Sequence, residues 1–253
     1  MPHLQEVVRA ICTNLPETEE VISHGSPDYR VRGKTFATFT VNHHGDGRLA
    51  LNLNASPETQ QHYVSAAPNI FFVPAYVGPK GWYGIDLASG IRWERVAELA
   101  TEAYCRVAPA QLARAAIPLS PVPEPDTVDI TRIDPFFAPA NQALLARLRE
   151  ICLALPETSE GASFGSPAFK AGKKTFCEFG CSQGIPAALF KVGPERQASL
   201  TLDPRFSIPP YMGPNGWIRL RLDKRFDEAE IRALALESYR HFALKRMLKA
   251  LGQ

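Results

Sequence analysis

The chain has 253 residues, of which 45% are hydrophobic and 21% charged, and its formal net charge is +2. This composition is that of a folded globular protein and excludes collagen-like, disordered and low-complexity chains. The sequence has no apolar run of about 18 residues such as a membrane helix needs, no signal-peptide pattern at its start, and five cysteines without a CxxC pair. We therefore expect a cytoplasmic protein without disulfide bonds and without a membrane partner.

An amphipathic helix is the first predicted element. Its apolar residues recur at helical spacing, Cys12 lies on the same stripe as a small buried residue, and Pro16 ends the helix. We expect the carboxylates of Glu17 and Glu20 to lie in a solvated turn after it. The apolar stripe consists of Leu4, Val7, Val8, Ile11 and Leu15.

Alternating apolar residues then predict a β-hairpin. The GSP triplet at residues 25–27 leads out of a turn into a strand, and a turn at residues 33–34 joins that strand to the next. A further strand near residues 49–53 and a short helix that Ser56 caps come next. The GPKGW turn at residues 78–82 leads into another strand, and an amphipathic helix closes the unit.

This order of elements occurs twice. Residues 11–18 (ICTNLPET) match residues 151–158 (ICLALPET) at an offset of 140, and residues 71–82 match residues 206–217 at an offset of 135. The second copy has therefore lost five residues between these landmarks. We predict the α+β class, with two tandem copies of a two-layer unit in which helices cover one face of an antiparallel sheet.

The predicted domains are residues 1–109 and 141–253, joined by a linker over residues 110–140. The linker is too rich in proline for a helix and should run extended along the surface. Alternatively, it is a strap that packs across one copy with the help of Phe136 and Phe137. Its prolines are Pro118, Pro121, Pro123, Pro125, Pro135 and Pro139.

The motifs common to both copies resemble those of the MmcQ/YjbR family. They are LPET, GSP, the glycine-lysine hairpin followed by Phe, the Y-x-G-P-x-G-W turn and a late helix with Ala-Tyr or Ser-Tyr. The resemblance covers most of both copies and implies a small cytoplasmic bacterial protein with a CyaY-like fold and a predicted DNA-binding function of the "double wing" type. Members usually have a single copy, so the tandem arrangement departs from the family pattern and suggests a monomer that acts as a pseudo-dimer.

Charge is distributed unevenly along the chain. The net charge is −2 over residues 1–109, −2 over 110–140 and +6 over 141–253. Lysines at hairpin tips and arginines at alternate positions of one strand could contact phosphates, although each also suits a solvated surface. The candidate nucleic-acid-binding residues are Lys34, Lys170, Lys173, Lys174, Arg219 and Arg221.

Four aromatic residues flank the glycine turns. They either pin these turns to the core or line a cleft between the copies that binds a drug-like ligand. The candidate cleft residues are Tyr76, Trp82, Tyr211 and Trp217.

The residues offer little for catalysis or metal binding. His43 and His44 are adjacent in a predicted strand, so they should point to opposite faces, and the second copy has no counterpart. Cys177 and Cys181 have no nearby histidine, and the serines of the GSP triplets have no base. We expect a non-enzymatic protein without cofactor or metal that binds DNA or another polyanion mainly through its second copy, or alternatively a small-molecule-binding protein.

Overall fold

The computed structural model describes residues 1–182, 184–224 and 227–252. The chain divides into two compact units, Met1–Ile133 and Asp134–Gln253. Each unit has an antiparallel sheet and helices, which confirms the predicted tandem α+β architecture. Among the described helices, none is both long and apolar enough to cross a membrane.

Unit 1 has its strands in the sheet order β1-β2-β3-β4-β6-β5. The strands are β1 (Thr18–Ser23), β2 (Ser26–Val31), β3 (Lys34–Val41), β4 (Leu49–Leu53), β5 (Phe71–Phe72) and β6 (Tyr83–Asp86). The helices are α1 (Leu4–Thr13), α2 (Pro57–Ala66), α3 (Trp93–Val107), α4 (Ala110–Ala115) and α5 (Ile130–Ile133).

Unit 2 repeats this topology, with the sheet order β11-β12-β10-β9-β8-β7. The strands are β7 (Thr158–Ser163), β8 (Ser166–Ala171), β9 (Lys174–Ser182), β10 (Ile185–Lys191), β11 (Phe206–Ser207) and β12 (Trp217–Arg221). The helices are α6 (Pro139–Leu153), α7 (Pro194–Leu200), α8 (Glu228–Arg240) and α9 (Lys245–Ala250).

An aromatic pair marks the centre of each core. The rings of Phe36 and Tyr104 meet edge to face at 5.4 Å, and those of Phe176 and Tyr239 do so at 5.6 Å. The Tyr104 hydroxyl donates to the Pro16 carbonyl, and the Tyr239 hydroxyl donates to the equivalent carbonyl of Pro156. The late tyrosine of the shared motif therefore ties the last long helix to the chain segment that follows the first helix.

Glu17 lies exposed in a turn after the first helix, as expected, but Glu20 lies in a strand rather than in that turn. Residues 18–23 pair with β2 at the edge of the sheet. Their side chains are mostly polar or charged and lack the alternating apolar pattern that predicts a strand. Edge strands tolerate such charges, whereas a central strand does not. Glu20 in this strand receives two hydrogen bonds from the Arg9 guanidinium, and Glu160 receives the same pair from Arg149 in unit 2.

The proline-rich segment is divided between the units. Residues up to 133 belong to unit 1, where Val122 is buried in the core and Leu119 packs against it. The expectation that this segment contains no helix is wrong, because α4 ends before Pro118 and α6 begins with Pro139 at its first turn, where proline is tolerated. The structural boundary thus lies between residues 133 and 134, within the predicted linker.

The five-residue difference between the copies lies in two places. The residue that precedes the short helix is Ser56 in unit 1 and Gly193 in unit 2, an offset of 137, so three residues are lost before it. The other two residues are lost between the start of the short helix and the glycine turn, where the offset falls from 137 to 135. The short helix survives in unit 2 with seven residues where α2 has ten.

Candidate nucleic-acid interface

The turn between β8 and β9 presents three lysines of unit 2. Lys173 and Lys174 are exposed at the turn. Lys170 lies in β8 between two core residues, so it points away from the core, and its side chain extends over Gly161, whose missing Cβ leaves room for it. We call Lys170, Lys173 and Lys174 the hairpin lysines.

The equivalent hairpin of unit 1 has cations that are mostly neutralised. Arg30 contacts the Asp28 carboxylate at 2.9 Å, and Arg32 contacts that of Glu17 at 2.6 Å. Lys34, the first residue of β3, is exposed and has no ion-pair partner among the described residues. Unit 1 therefore offers one free cation at this hairpin, within the described part of the chain.

Unit 2 has lost both of the neutralising contacts. Ala168 replaces Asp28, and Glu157, the counterpart of Glu17, forms its ion pair with Arg246 of α9 at 2.6 Å. No carboxylate within the described residues lies within 4 Å of a hairpin lysine. The hairpin lysines are therefore available to an external anion.

Arginine and lysine have separate roles in the described part of unit 2. Its ion pairs use arginine, whereas its lysines form none. Arg221, a candidate nucleic-acid-binding residue, makes two hydrogen bonds with the Asp223 carboxylate, so its charge is compensated within the chain. The paired arginines are Arg147, Arg149, Arg196, Arg205, Arg221, Arg232 and Arg246.

Arg219 lies in a row of residues on the sheet face that points away from the core. Arg219 and Arg221 share this face, as their alternation in β12 predicts. The row in unit 2 consists of Ala168, Glu178, Leu189, Arg219 and Ser207. In unit 1 the same row consists of Asp28, Thr38, Asn52, Gly84 and Phe72. Glu178 thus separates Arg219 from the hairpin, and the structure does not join these cations into one continuous stripe.

Glu178 gives the stability of the protein a specific pH dependence. Burial raises the pKa of its carboxyl, while a hydrogen bond from Ser163 acts in the opposite direction. A carboxyl whose folded-state pKa exceeds its unfolded value stabilises the fold at pH below the unfolded pKa, and this stability is lost as pH rises through the folded pKa. Glu178→Gln is therefore expected to raise the urea midpoint at pH 7 and to leave it unchanged well below the ordinary glutamate pKa of 4.5.

Glu160→Gln is the control, for which we expect the opposite change in stability at pH 7. The hydrogen bond from Arg149 lowers the pKa of Glu160, so its stabilisation is present above the unfolded pKa and is lost as pH falls through the folded pKa. This variant should lose stability at pH 7 and approach the wild type in acid. A Glu178→Gln protein that is less stable than the wild type at pH 7 would contradict the assignment of Glu178.

The four aromatic candidates divide into two buried and two exposed residues. Trp82 and Trp217 are 9% and 7% exposed and therefore belong to the packing of their units. Tyr76 and Tyr211 are 64% and 89% exposed, and both have a backbone φ of +62°. The left-handed region is unfavourable for a residue with a Cβ by about 1–2 kcal/mol, so both units hold an exposed ring on a strained backbone.

A glutamine that the sequence analysis did not single out fixes each glycine turn. The Gln60 amide donates to the carbonyls of Gly78 and Trp82, and the Gln197 amide donates to those of Gly213 and Trp217. Gln197 is 9% exposed. The signal was present as a Gln four residues into the short helix of both copies, but nothing in the sequence placed it at the turn.

The surroundings of Tyr76 correct the prediction for the two histidines. β3 ends at Val41 because the next residue, Asn42, has φ +48°. His43 and His44 therefore lie in a 3-10 turn and not in a strand. Their ring centroids are 4.2 Å apart, whereas the sequence predicts opposite faces. The Tyr76 ring lies 5.0 Å from that of His44. Residues 180–190 contain no histidine, so the sequence of unit 2 has no counterpart of this pair. The described residues contain no group of three or more His, Cys, Asp or Glu placed to hold a metal ion.

The structure does not bring the aromatic and cationic candidates of unit 1 together. Lys34 begins β3, whereas Tyr76 contacts residues that follow its end. Eight strand residues separate the two by about 26 Å. A surface cavity of about 520 Å³ in unit 1 involves none of the four aromatic candidates; its lining residues are Glu58, Gln61, His62, Ser65 and Ala66.

Comparison with known proteins supports the repeat. A family model described as YjbR matches this chain twice, over residues 13–106 and 153–241. The solved structure of the Deinococcus radiodurans protein DR2400, a domain of the family model DUF419, is similar at 18% sequence identity and a TM-score of 0.39, covering 49% of this chain and 96% of that one. The comparison with curated proteins finds no significant match.

Proposed function

Because this chain belongs to the YjbR family, with one family domain in each unit, we propose that it is a non-enzymatic nucleic-acid-binding protein. Its ligand would be DNA, and unit 2 would supply most of the phosphate contacts. The proposal starts from family membership and is supported by the charges of the hairpins in the two units.

The observation that carries this proposal is that the hairpin lysines have no carboxylate partner in the part of the chain that the structure describes. A lysine held in an internal ion pair must give up that partner before it can contact a phosphate, whereas a free lysine only releases water and counterions. Lys173 and Lys174 are exposed at a turn that projects from the sheet, and phosphate contacts of this kind position a nucleic acid without reading its sequence.

The comparison of the two units explains why the contacts fall mainly on unit 2. Internal carboxylates neutralise two of the three hairpin cations in unit 1, Arg30 and Arg32. The excess charge of +6 over residues 141–253 adds long-range attraction for a polyanion. Unit 2 therefore presents lysines that have no carboxylate within 4 Å among the described residues.

The combined substitution Lys173→Glu and Lys174→Glu is expected to weaken binding about ten- to hundred-fold at low salt. It replaces two attractive contacts with two repulsive ones, and the dependence of log affinity on log salt should become shallower by about two, one for each lost phosphate contact. Fluorescence anisotropy with labelled duplex and single-stranded oligonucleotides at two salt concentrations measures both quantities.

The matched control is Lys245→Glu with Lys249→Glu, which changes the net charge by the same amount at two exposed lysines of α9. Lys34→Glu tests the hairpin of unit 1. We expect both variants to bind more tightly than the hairpin variant. Equal losses in the hairpin and α9 variants would mean that only net charge matters, and undetectable binding by the wild-type chain at low salt would reject the function itself.

A further inference from the structure

The exposed tyrosine of each unit stands out once the packing residues are set aside. Tyr76 and Tyr211 each lie four residues after a short edge strand, at the same place in the repeat. Their rings are largely exposed and their backbones share φ +62°. Glycine would adopt this conformation without strain. The fold therefore gains little from the ring of Tyr211, whereas the ring of Tyr76 also contacts those of His43 and His44.

The tyrosine belongs to the Y-x-G-P-x-G-W motif that both units share, and some positions of this loop nevertheless differ between the units. Ala75 is replaced by Pro210, and Lys80 is replaced by Asn215. The strained backbone nevertheless persists. Strain of this kind persists where the surrounding structure imposes it, and such positions are concentrated at binding sites.

The loop that carries each ring is held firmly. The Gln197 amide bonds to the carbonyls of Gly213 and Trp217 on either side of the glycine turn, and the Gln60 amide does the same in unit 1. Trp217 and Trp82 are buried beside these bonds. Each tyrosine is consequently presented by a fixed loop, so a ligand that covers the ring would reduce the conformational entropy of the loop only slightly.

We propose that Tyr76 and Tyr211 each stack on an unpaired base of a single-stranded nucleic acid. The proposal rests on the nucleic-acid-binding function above and adds the kind of strand. An exposed planar ring favours a flat partner, and every base has such a face. In unit 1 the same loop holds Lys80, an exposed cation without an ion-pair partner in the described residues, which suits the adjoining phosphates.

The length of β3 sets the size of the probe. The tip of the first hairpin and Tyr76 are about 26 Å apart along the strand, which corresponds to about eight nucleotides of a strand stacked as in B-DNA and to fewer of an extended strand. A single strand of about 16 nucleotides therefore spans both features of one unit with length to spare. Shorter strands would test the lysines or the ring but not both.

The experiment uses the full chain and two fluorescent probes of this length, an oligothymidine and an abasic strand with the same number of phosphates. The double variant Tyr76→Gly with Tyr211→Gly removes both rings, and Tyr76→Phe with Tyr211→Phe keeps them. We expect the glycine variant to bind oligothymidine at least about ten-fold more weakly than the wild type, and the phenylalanine variant to remain within about two-fold. The abasic strand should bind all three proteins equally and more weakly.

Several outcomes would overturn the proposal, and they separate it from the function on which it rests. If the wild type binds both probes equally, or if the glycine variant keeps full affinity for oligothymidine, stacking is wrong while phosphate binding stands. Binding of duplex alone also rejects stacking. If neither single strand nor duplex binds, both proposals fail. A thermal melt of the glycine variant at or above the wild-type temperature excludes unfolding as the cause of weaker binding, because glycine relieves the strained backbone.

Discussion

Gly216→Ala is expected to lower the free energy of unfolding of unit 2 by about 3 kcal/mol, which combines backbone strain with overpacking. Gly216 has φ +76°, and a Cβ at this position would lie 2.7 Å from Gly193 Cα and 2.9 Å from its carbonyl carbon. Both neighbours are backbone atoms, so no side-chain rotation can relieve the overlap. Gly81→Ala should have the same effect in unit 1, where the Cβ would lie 2.7 Å from Pro57 N.

Gly172→Ala is the matched control for this effect. Gly172 also has a positive φ, +59°, but no atom lies within 4 Å of the position of a Cβ. Its substitution should therefore lower the free energy of unfolding by only about 1 kcal/mol, from backbone strain alone. Hydrogen exchange measured peptide by peptide assigns the loss to one unit. Equal losses for Gly172→Ala and Gly216→Ala would show that the close approach of the glycine turn to the short helix has no energetic weight.

Gln197→Met should lower the free energy of unfolding by about 2–3 kcal/mol. The side chain keeps its length and loses the amide, so the carbonyls of Gly213 and Trp217 lose a shared donor. An acceptor left unsatisfied in a buried site is unfavourable by about 1–3 kcal/mol. Gln60→Met should weaken unit 1 in the same way, although Gln60 is only half-buried.

Urea unfolding followed by circular dichroism measures the loss of stability in both variants. Gln61→Met, at the residue next to Gln60 in α2, serves as the control for Gln60→Met. Gln61 is exposed in the same helix, so its substitution should leave the unfolding midpoint nearly unchanged. Because the glutamine fixes the loop of the exposed tyrosine, Gln197→Met should also weaken any binding that needs Tyr211. Full stability of the Gln197→Met protein would mean that water satisfies the two carbonyls.

The architecture was predictable from the sequence because the same motifs occur in the same order in both copies, so that each copy supports the assignment of elements in the other. Apolar residues at helical spacing marked α1 and α3, and the GSP and glycine-turn motifs marked the strands. The edge strand at residues 18–23 escaped prediction, since its pairing depends on β2 and not on a pattern of its own. The adjacent histidines were misplaced for a similar reason. A left-handed residue at Asn42 ended the strand where the sequence carried no glycine or proline.

The candidate site could be predicted only as a set of charges. The sequence showed that cations are concentrated in the second copy, and it could not show which of them form internal ion pairs. Arg246 and Glu157 are 89 residues apart along the chain, and their contact depends on the position of α9. This single pairing helps to decide which cations of the hairpin remain available. The exposure of Tyr211 and the burial of Trp217 likewise depend on tertiary packing, since both flank the same turn.

The row of residues that faces away from the core has an evolutionary consequence. In a homodimer, one gene encodes both subunits, so any substitution appears twice and symmetry constrains what the surface can become. This chain carries its two copies in one reading frame, and the rows have diverged completely, from Asp28 and Asn52 in one to Ala168 and Leu189 in the other. Duplication within one gene has thus freed each copy to acquire a chemistry of its own, while both keep the same sheet order and the same central aromatic pair.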